Sequence, residues 1–161
     1  MDAFLQTVER QAYRIAVVAT RHHEDALDIV QEAMLRFVEK YRHKPREAWK
    51  PLFYKILYNQ IATLQRRRRL QNRWFSWFLP GKDNANPIEA HPDSRSREPE
   101  HATRVNTAYT ALEKALIELS LRQQQAFLLR GWEELSVAET AAAMQCSEGS
   151  VKTHYSRALE N

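Results

Sequence analysis

Apolar residues recur every three or four positions along the first eighty residues. Phe4, Val8, Ala12, Ile15 and Ala19 keep one face apolar and predict a helix over residues 2–20. Leu27, Val30, Met34, Phe37 and Tyr41 supply the buried stripe of a second helix, from about Glu24 to Tyr41. His22-His23 between them reads as a turn, because a metal role needs further ligands that the sequence does not place. His43-Lys44-Pro45-Arg46 interrupts the pattern again. Pro51 suits the first turn of a third helix, where its missing N–H costs little. Leu52, Ile56, Ile61 and Leu64 line that helix, with Phe53, Tyr54, Tyr58 and Asn59 among them, and it is expected to end in the run Arg66–Arg69. From Pro80 to about Glu100 apolar residues almost vanish in favour of Pro, Asn, Asp, Ser, Arg and Glu, the composition of a flexible linker. Helical spacing then resumes over 102–119 (Val105, Tyr109, Leu112, Leu116) and 122–132 (Ala126, Phe127, Leu128, Leu129). Phe127, Leu128 and Trp132 are the expected common core.

The last thirty residues are the most specific. Ser136 followed by Glu139 is a capping box, so a helix starts at Val137. Its small residues Ala138, Ala141 and Ala142, with Met144, admit a closely crossing neighbour. After the short break Gln145-Cys146-Ser147, Ser147 can cap a second helix with Val151, Tyr155, Ala158 and Leu159 inward. Gly149, Thr153, Ser156 and Arg157 lie opposite, flanked by Ser150 and Lys152. Two short helices and a tight turn, the second basic and small on its outer face, describe a DNA-binding helix-turn-helix. Small hydroxyl residues let the helix sit deep in the major groove, and Lys and Arg reach phosphates or guanine edges. An ordinary helical hairpin with a solvated face is the alternative.

Composition narrows the classes. With 3 Gly in 161 residues and 27% charged residues the chain favours helices. The fold expected is all-α: two small helical domains, residues 1–79 and 102–161, joined by a flexible linker over 80–101, the second a four-helix domain. The single Cys146 excludes an internal disulfide and a multi-cysteine zinc site, and its place at the turn suits packing. No apolar run approaches a membrane span and the N-terminus lacks a signal pattern, so a cytoplasmic location without membrane insertion is expected.

Charge is asymmetric. Residues 1–80 carry 15 Lys and Arg against 8 Asp and Glu, net +7; the remainder carries 9 against 12, net −3. The surplus lies in the half without the helix-turn-helix and suggests a second polyanion-binding surface. Arg66, Arg67, Arg68 and Arg69 sweep around their helix with no acid nearby in sequence. Beside aromatic residues such a run suits a nucleic-acid backbone with unpaired bases, although core packing is the simpler role for most of the rings. The acidic helix within this basic half, with Asp25, Asp28, Gln31 and Glu32, is either a solvated face or a docking strip for a basic partner; spacing leaves both open. Trp74, Phe75, Trp77 and Phe78 either close the first core or bind a partner.

Taken together these stretches resemble the bacterial RNA polymerase sigma factors of the extracytoplasmic-function (ECF) class. Asp25-Ala26-Leu27-Asp28-Ile29-Val30-Gln31-Glu32 is similar to the family's D-A-x-D-x-x-Q-E segment, which grips core polymerase. Leu52-Phe53-Tyr54-Lys55-Ile56-Leu57-Tyr58-Asn59 resembles W-L-Y-R-I-A-R-N, ahead of the basic end of the −10-reading helix. Gln123–Arg130, then Leu135-Ser136, Glu139 and Ala141, resemble Q-R-x-A-F-x-L-R and L-S-x-x-E-I-A. Ser147-Glu148-Gly149-Ser150-Val151-Lys152-Thr153 is similar to S-x-G-T-V-K-S, which reads the −35 element. The departures are local: Leu52 replaces a usual Trp, with Trp49 three residues earlier; Ser120-Leu121 replaces Leu-Pro; Glu134 and Gln145 stand where Gly is common; Thr140 replaces Ile; and the chain stops shortly after the recognition helix.

The resemblance implies a non-enzyme without cofactors that recruits core RNA polymerase to promoter DNA. It implies Asp28, Gln31 and Glu32 as polymerase contacts. Trp49, Phe53, Tyr54, Asn59 and Arg66–Arg69 become the −10 contacts, and Ser150, Lys152, Thr153 and Arg157 the −35 contacts. An anti-sigma factor is a further partner common in the class, with Trp74–Phe78 one place for it. A free linker of about 25 residues has a root-mean-square span of roughly 28 Å and a stretched limit near 85 Å. Promoter elements about two helical turns apart lie roughly 70 Å from each other. The linker reaches only if held extended, which points to polymerase as the scaffold. The rival is a dimeric response-regulator-type transcription factor, because Ser150-Val151-Lys152-Thr153-His154 resembles its recognition helix too; it requires an α/β receiver domain in the first half. An RNA-binding helical module is a second rival, but it leaves the helix-turn-helix unexplained.

Overall fold

The computed structural model describes residues 1–78, 111–112 and 114–160, with residues 74–78 described in backbone only. The linker expected over 80–101, the start of the helix expected from 102, and the side chains of Trp74, Phe75, Trp77 and Phe78 lie outside the described residues.

Three helices form the N-terminal half: α1 (Asp2–Thr20), α2 (His23–Tyr41) and α3 (Trp49–Phe78), the last preceded by a 3₁₀ turn, Arg46–Ala48. No strand occurs among the described residues. α1 stops where Arg21 turns left-handed (φ 55°) and returns its N–H to the Val17 carbonyl at 2.7 Å. The expected histidine turn follows: His22 caps α2, its Nδ1 accepting from the Asp25 N–H at 3.3 Å, and the Tyr13 hydroxyl meets His23 Nδ1 at 2.8 Å.

The first core keeps the expected Val30 and Phe37 of α2, with Met34 and Tyr41 packed against it, but not Leu27. Ala26, Ile29, Val30, Ala33 and Phe37 are buried, whereas Leu27 is 49% exposed. Small Ala26 and Ala33, with Ala12 and Ala16 buried on α1, fit the inner face of a tightly packed helix pair, so this stripe wins over the larger Leu27. One end of the bundle is an aromatic knot. Phe37 meets Phe53 edge-on at 5.9 Å and Trp49 at 6.1 Å, and Phe4 meets Trp49 at 5.5 Å. Burying each such ring contributes about 1.5–3 kcal/mol, and the edge-on geometry adds to it.

α3 does not end at the arginine run but continues to Phe78. Arg68 is not unmatched either. It donates to the Thr20 carbonyl at 2.8 Å and pairs with the Asp25 carboxylate, while Gln65 donates to the Ala19 carbonyl. The helix packing brings the start of α2 beside the far part of α3, a proximity that spacing along the chain cannot show.

Among the described residues the C-terminal half holds helical residues at 111–112 and 114–118, called α4, then α5 (Leu121–Phe127), α6 (Val137–Met144) and α7 (Glu148–Leu159). α5 widens into a π turn, Leu128–Trp132. Ala126, Leu128, Leu129, Leu135, Met144 and Val151 are buried in its core, with Leu116; Phe127 and Trp132 are half-buried. Of the small residues expected at the crossing, Ala141 is buried with Met144, whereas Ala138 and Ala142 are exposed and Thr140 and Ala143 are buried in their place. Leu159, expected inside, is 60% exposed at the helix end. Both bonds of the capping box form: Glu139 N–H to Ser136 Oγ at 3.2 Å and Ser136 N–H to Glu139 Oε2 at 2.8 Å.

Candidate functional site

On the outer side of α2, Leu27, Gln31 and Leu35 repeat at i, i+4 and i+8, beside the lane Asp28, Glu32 and Arg36. Asp28 and Gln31 are exposed, Glu32 half-exposed, and Leu27 and Leu35 present bare apolar surface at 49% and 62% exposure. The strip borders a groove of about 660 Å³ between α2 and α3 that Gln60, Thr63, Leu64 and Arg67 complete. Glu32 accepts from Arg36 Nε at 2.5 Å, which orders that wall. The sequence expectation named the three polar residues but not the leucines beside them, and it placed Leu27 in the core. The arrangement suits a helical, basic partner: apolar contact along one lane, carboxylates and an amide along the other.

α7 follows α6 across Gln145-Cys146-Ser147. Gln145 ends α6 in the left-handed conformation (φ 54°), and Ser147 Oγ accepts from the Ser150 N–H at 3.1 Å to start α7. Ser150 is half-buried and its hydroxyl meets Ser147 Oγ at 2.9 Å. Thr153 donates to the Gly149 carbonyl at 3.0 Å. Lys152, Thr153 and Arg157 are exposed on the outer face, opposite the buried Val151. Cys146 is a free, half-buried thiol packed against the core. Above α6, the Ser136 hydroxyl and then the Ser136 N–H hold the Glu139 carboxyl below the ordinary carboxylate range.

The residues expected to meet −10 DNA do not form one open surface here. Arg66, Arg67 and Arg69 are exposed while Arg68 is tied to Asp25 and Thr20. Trp49 is half-buried, its indole N–H held by the Lys44 carbonyl at 2.7 Å. Phe53 is fully buried in the aromatic knot, where it supports the bundle and offers no face for a base. Tyr54 is fully buried as well, with Glu133 of the C-terminal half close by. Burial and then the nearby Glu133 carboxylate raise the Tyr54 and Tyr58 hydroxyls well above the ordinary phenol range. Asn59 is exposed and accepts from Gln145 Nε2 at 3.2 Å.

Known proteins share these features. The family description Sigma-70, region 4, matches residues 109–161, a span that includes the helix-turn-helix. The RNA polymerase sigma-E factor of Streptomyces antibioticus is 31% identical over 135 residues, 84% of this chain and 67% of the relative. The RNA polymerase sigma factor SigV of Bacillus subtilis is 29% identical over 155 residues, covering 92% and 80%. The ECF RNA polymerase sigma factor SigM of Mycobacterium tuberculosis is 28% identical over 165 residues, covering 98% and 72%. In solved structures, the sigma factor RpoE from Bartonella quintana, crystallised with the anti-sigma factor NepR, shares the fold with a TM-score of 0.67 at 24% identity, over 99% of this chain and 91% of that one. The described N-terminal residues form three helices, not the α/β receiver that the response-regulator reading expects in this half. The chain therefore belongs to the RNA polymerase sigma factors, in the ECF class of the sigma-70 family.

Proposed function

We propose that this sigma factor docks on core RNA polymerase through Asp28, Gln31 and Glu32 and divides promoter recognition between its two halves. The exposed, partly apolar strip on α2 carries this proposal: a helix of a cytoplasmic factor that leaves Leu27 and Leu35 bare beside two carboxylates is built for a partner. Residues 1–79 act as the polymerase- and −10-binding region two, 80–101 as the linker and 102–161 as the −35-binding region four. α7 enters the major groove with Ser150, Lys152, Thr153 and Arg157. The −10 contacts reduce to Trp49, Tyr54, Asn59 and the exposed arginines, since Phe53 serves the core. The protein performs no catalysis of its own; the polymerase does. An anti-sigma factor, the partner of the Bartonella relative in its crystal, is the natural regulator of these surfaces.

The test is co-purification with core polymerase followed by run-off transcription. The wild type binds stoichiometrically and yields promoter-dependent transcripts, and Asp28→Ala/Gln31→Ala/Glu32→Ala loses both while keeping its thermal unfolding profile. Retained binding by the triple variant overturns the docking strip.

A further inference from the structure

The core of the N-terminal half ends before α3 does. Ile61 is the last buried residue of that helix among the described side chains, and those from Ala62 to Arg73 are exposed or half-buried. Arg68 marks the inner side of this stretch. It donates to the Thr20 carbonyl and pairs with Asp25, at the corner where α1 gives way to α2. α3 then runs from Arg68 to Phe78, about 15 Å at the helical rise. Leu70 stands about 160° round the helix from Arg68 and is 48% exposed. Trp74, Trp77 and Phe78 follow Leu70 at i+4, i+7 and i+8, so by register the four share one sector about 100° wide. This apolar stripe lies across the helix from Arg68. Arg66, Arg69 and Arg73 border it along one edge by register, and Arg67 stands at the other; all four are exposed. No Asp or Glu occurs from Ala48 to Lys82, so the helix carries no countercharge of its own.

We propose that the end of α3, from Arg66 to Phe78, is a peripheral membrane-binding helix that lies in the headgroup layer of an anionic bilayer. Bulky apolar and aromatic residues along one lane, with arginines beside it, are the makings of an interfacial helix. Tryptophan suits the headgroup boundary because its ring is apolar and its N–H polar. Arginines on long apolar stems reach lipid phosphates from either edge of such a stripe. A DNA backbone accounts for the arginines but leaves the stripe unused. A protein groove accounts for the stripe but has to supply acids along both of its edges. An anionic bilayer provides apolar depth and countercharge on every side at once. The helix rests on the surface: among the described residues no helix is long and apolar enough to cross a membrane.

The experiment is co-sedimentation of the full chain with large vesicles of phosphatidylcholine, alone or with about a quarter phosphatidylglycerol, at about 0.15 M salt. Wild type sediments with the anionic vesicles and not with the neutral ones. Leu70→Gln/Trp74→Gln/Trp77→Gln keeps every charge and its thermal unfolding profile, yet binds roughly tenfold or more weakly. Arg66→Gln/Arg69→Gln/Arg73→Gln also loses binding. Arg10→Gln/Arg14→Gln/Lys40→Gln removes the same charge from exposed positions of α1 and α2 and stays within about twofold of wild type. Equal binding by the apolar variant means adsorption by charge alone and overturns the membrane-binding helix. An equal loss in the α1 and α2 variant overturns it too. A wild type that ignores anionic vesicles, with an apolar variant that loses core polymerase in co-purification, assigns the stripe to a protein partner and removes the lipid.

Discussion

Glu134 and Gln145 both have left-handed backbone, φ 53° and 54°. An L-residue there gives up about 1–2 kcal/mol, while glycine's greater freedom in the unfolded chain takes back roughly 0.5–1. Glu134 is exposed, so Glu134→Gly should raise stability by about 1 kcal/mol, seen as a higher urea midpoint at unchanged slope. A lower midpoint would show that the Glu134 side chain carries a contact outweighing its backbone strain. Gln145 is not equivalent, because its amide also holds Asn59. The arginine run teaches the reverse lesson about single residues. Four identical side chains look interchangeable in sequence, yet Arg68 alone reaches Asp25, 43 positions away.

Among the elements, those with local signals were legible to within a residue or two. α1, α2, α6 and α7 start where capping residues and apolar spacing put them, since both act within one turn. The capping box of α6 gives a direct test. Ser136→Ala should cost about 1 kcal/mol, lowering the thermal midpoint by several degrees. The pH dependence has a definite sign. The folded Glu139 pKa lies below its unfolded value, so its contribution is complete above the ordinary carboxylate range and is lost as pH falls through the depressed folded value. Glu139→Gln should therefore flatten part of the acid limb of stability, measured by urea melts from neutral pH downward. An unchanged acid limb would mean that other carboxylates dominate. Register around the helix was less legible. Leu27 outranks Ala26 in hydrophobicity, but the close approach of α1 selects the smaller residue.

For the whole molecule, the linker reaches both promoter elements only when something holds it extended. The chain alone should bind promoter duplex weakly and without sequence preference, and gain specificity only with core polymerase. Fluorescence anisotropy of labelled promoter duplex, with and without core enzyme, measures this. Tight, sequence-specific binding by the free chain contradicts it. Because the basic surplus sits in the first half, any binding by the chain alone should also fall steeply with salt.

Sequence by itself determined the helical class, the helix-turn-helix and the family resemblance, and it named the polar residues Asp28, Gln31 and Glu32 that the structure places on the outer side of α2. Each of these rests on spacing within a few residues or on a motif whose order along the chain is its signature. Tertiary structure alone decided that Leu27 is exposed, that Arg68 is an anchor, that Phe53 belongs to the core and that Glu133 is buried against Lys50. These depend on which surfaces meet after the chain has crossed forty to eighty residues, where loop closure leaves no trace in local pattern. The motifs named candidate residues; the packing decided which of their side chains are exposed.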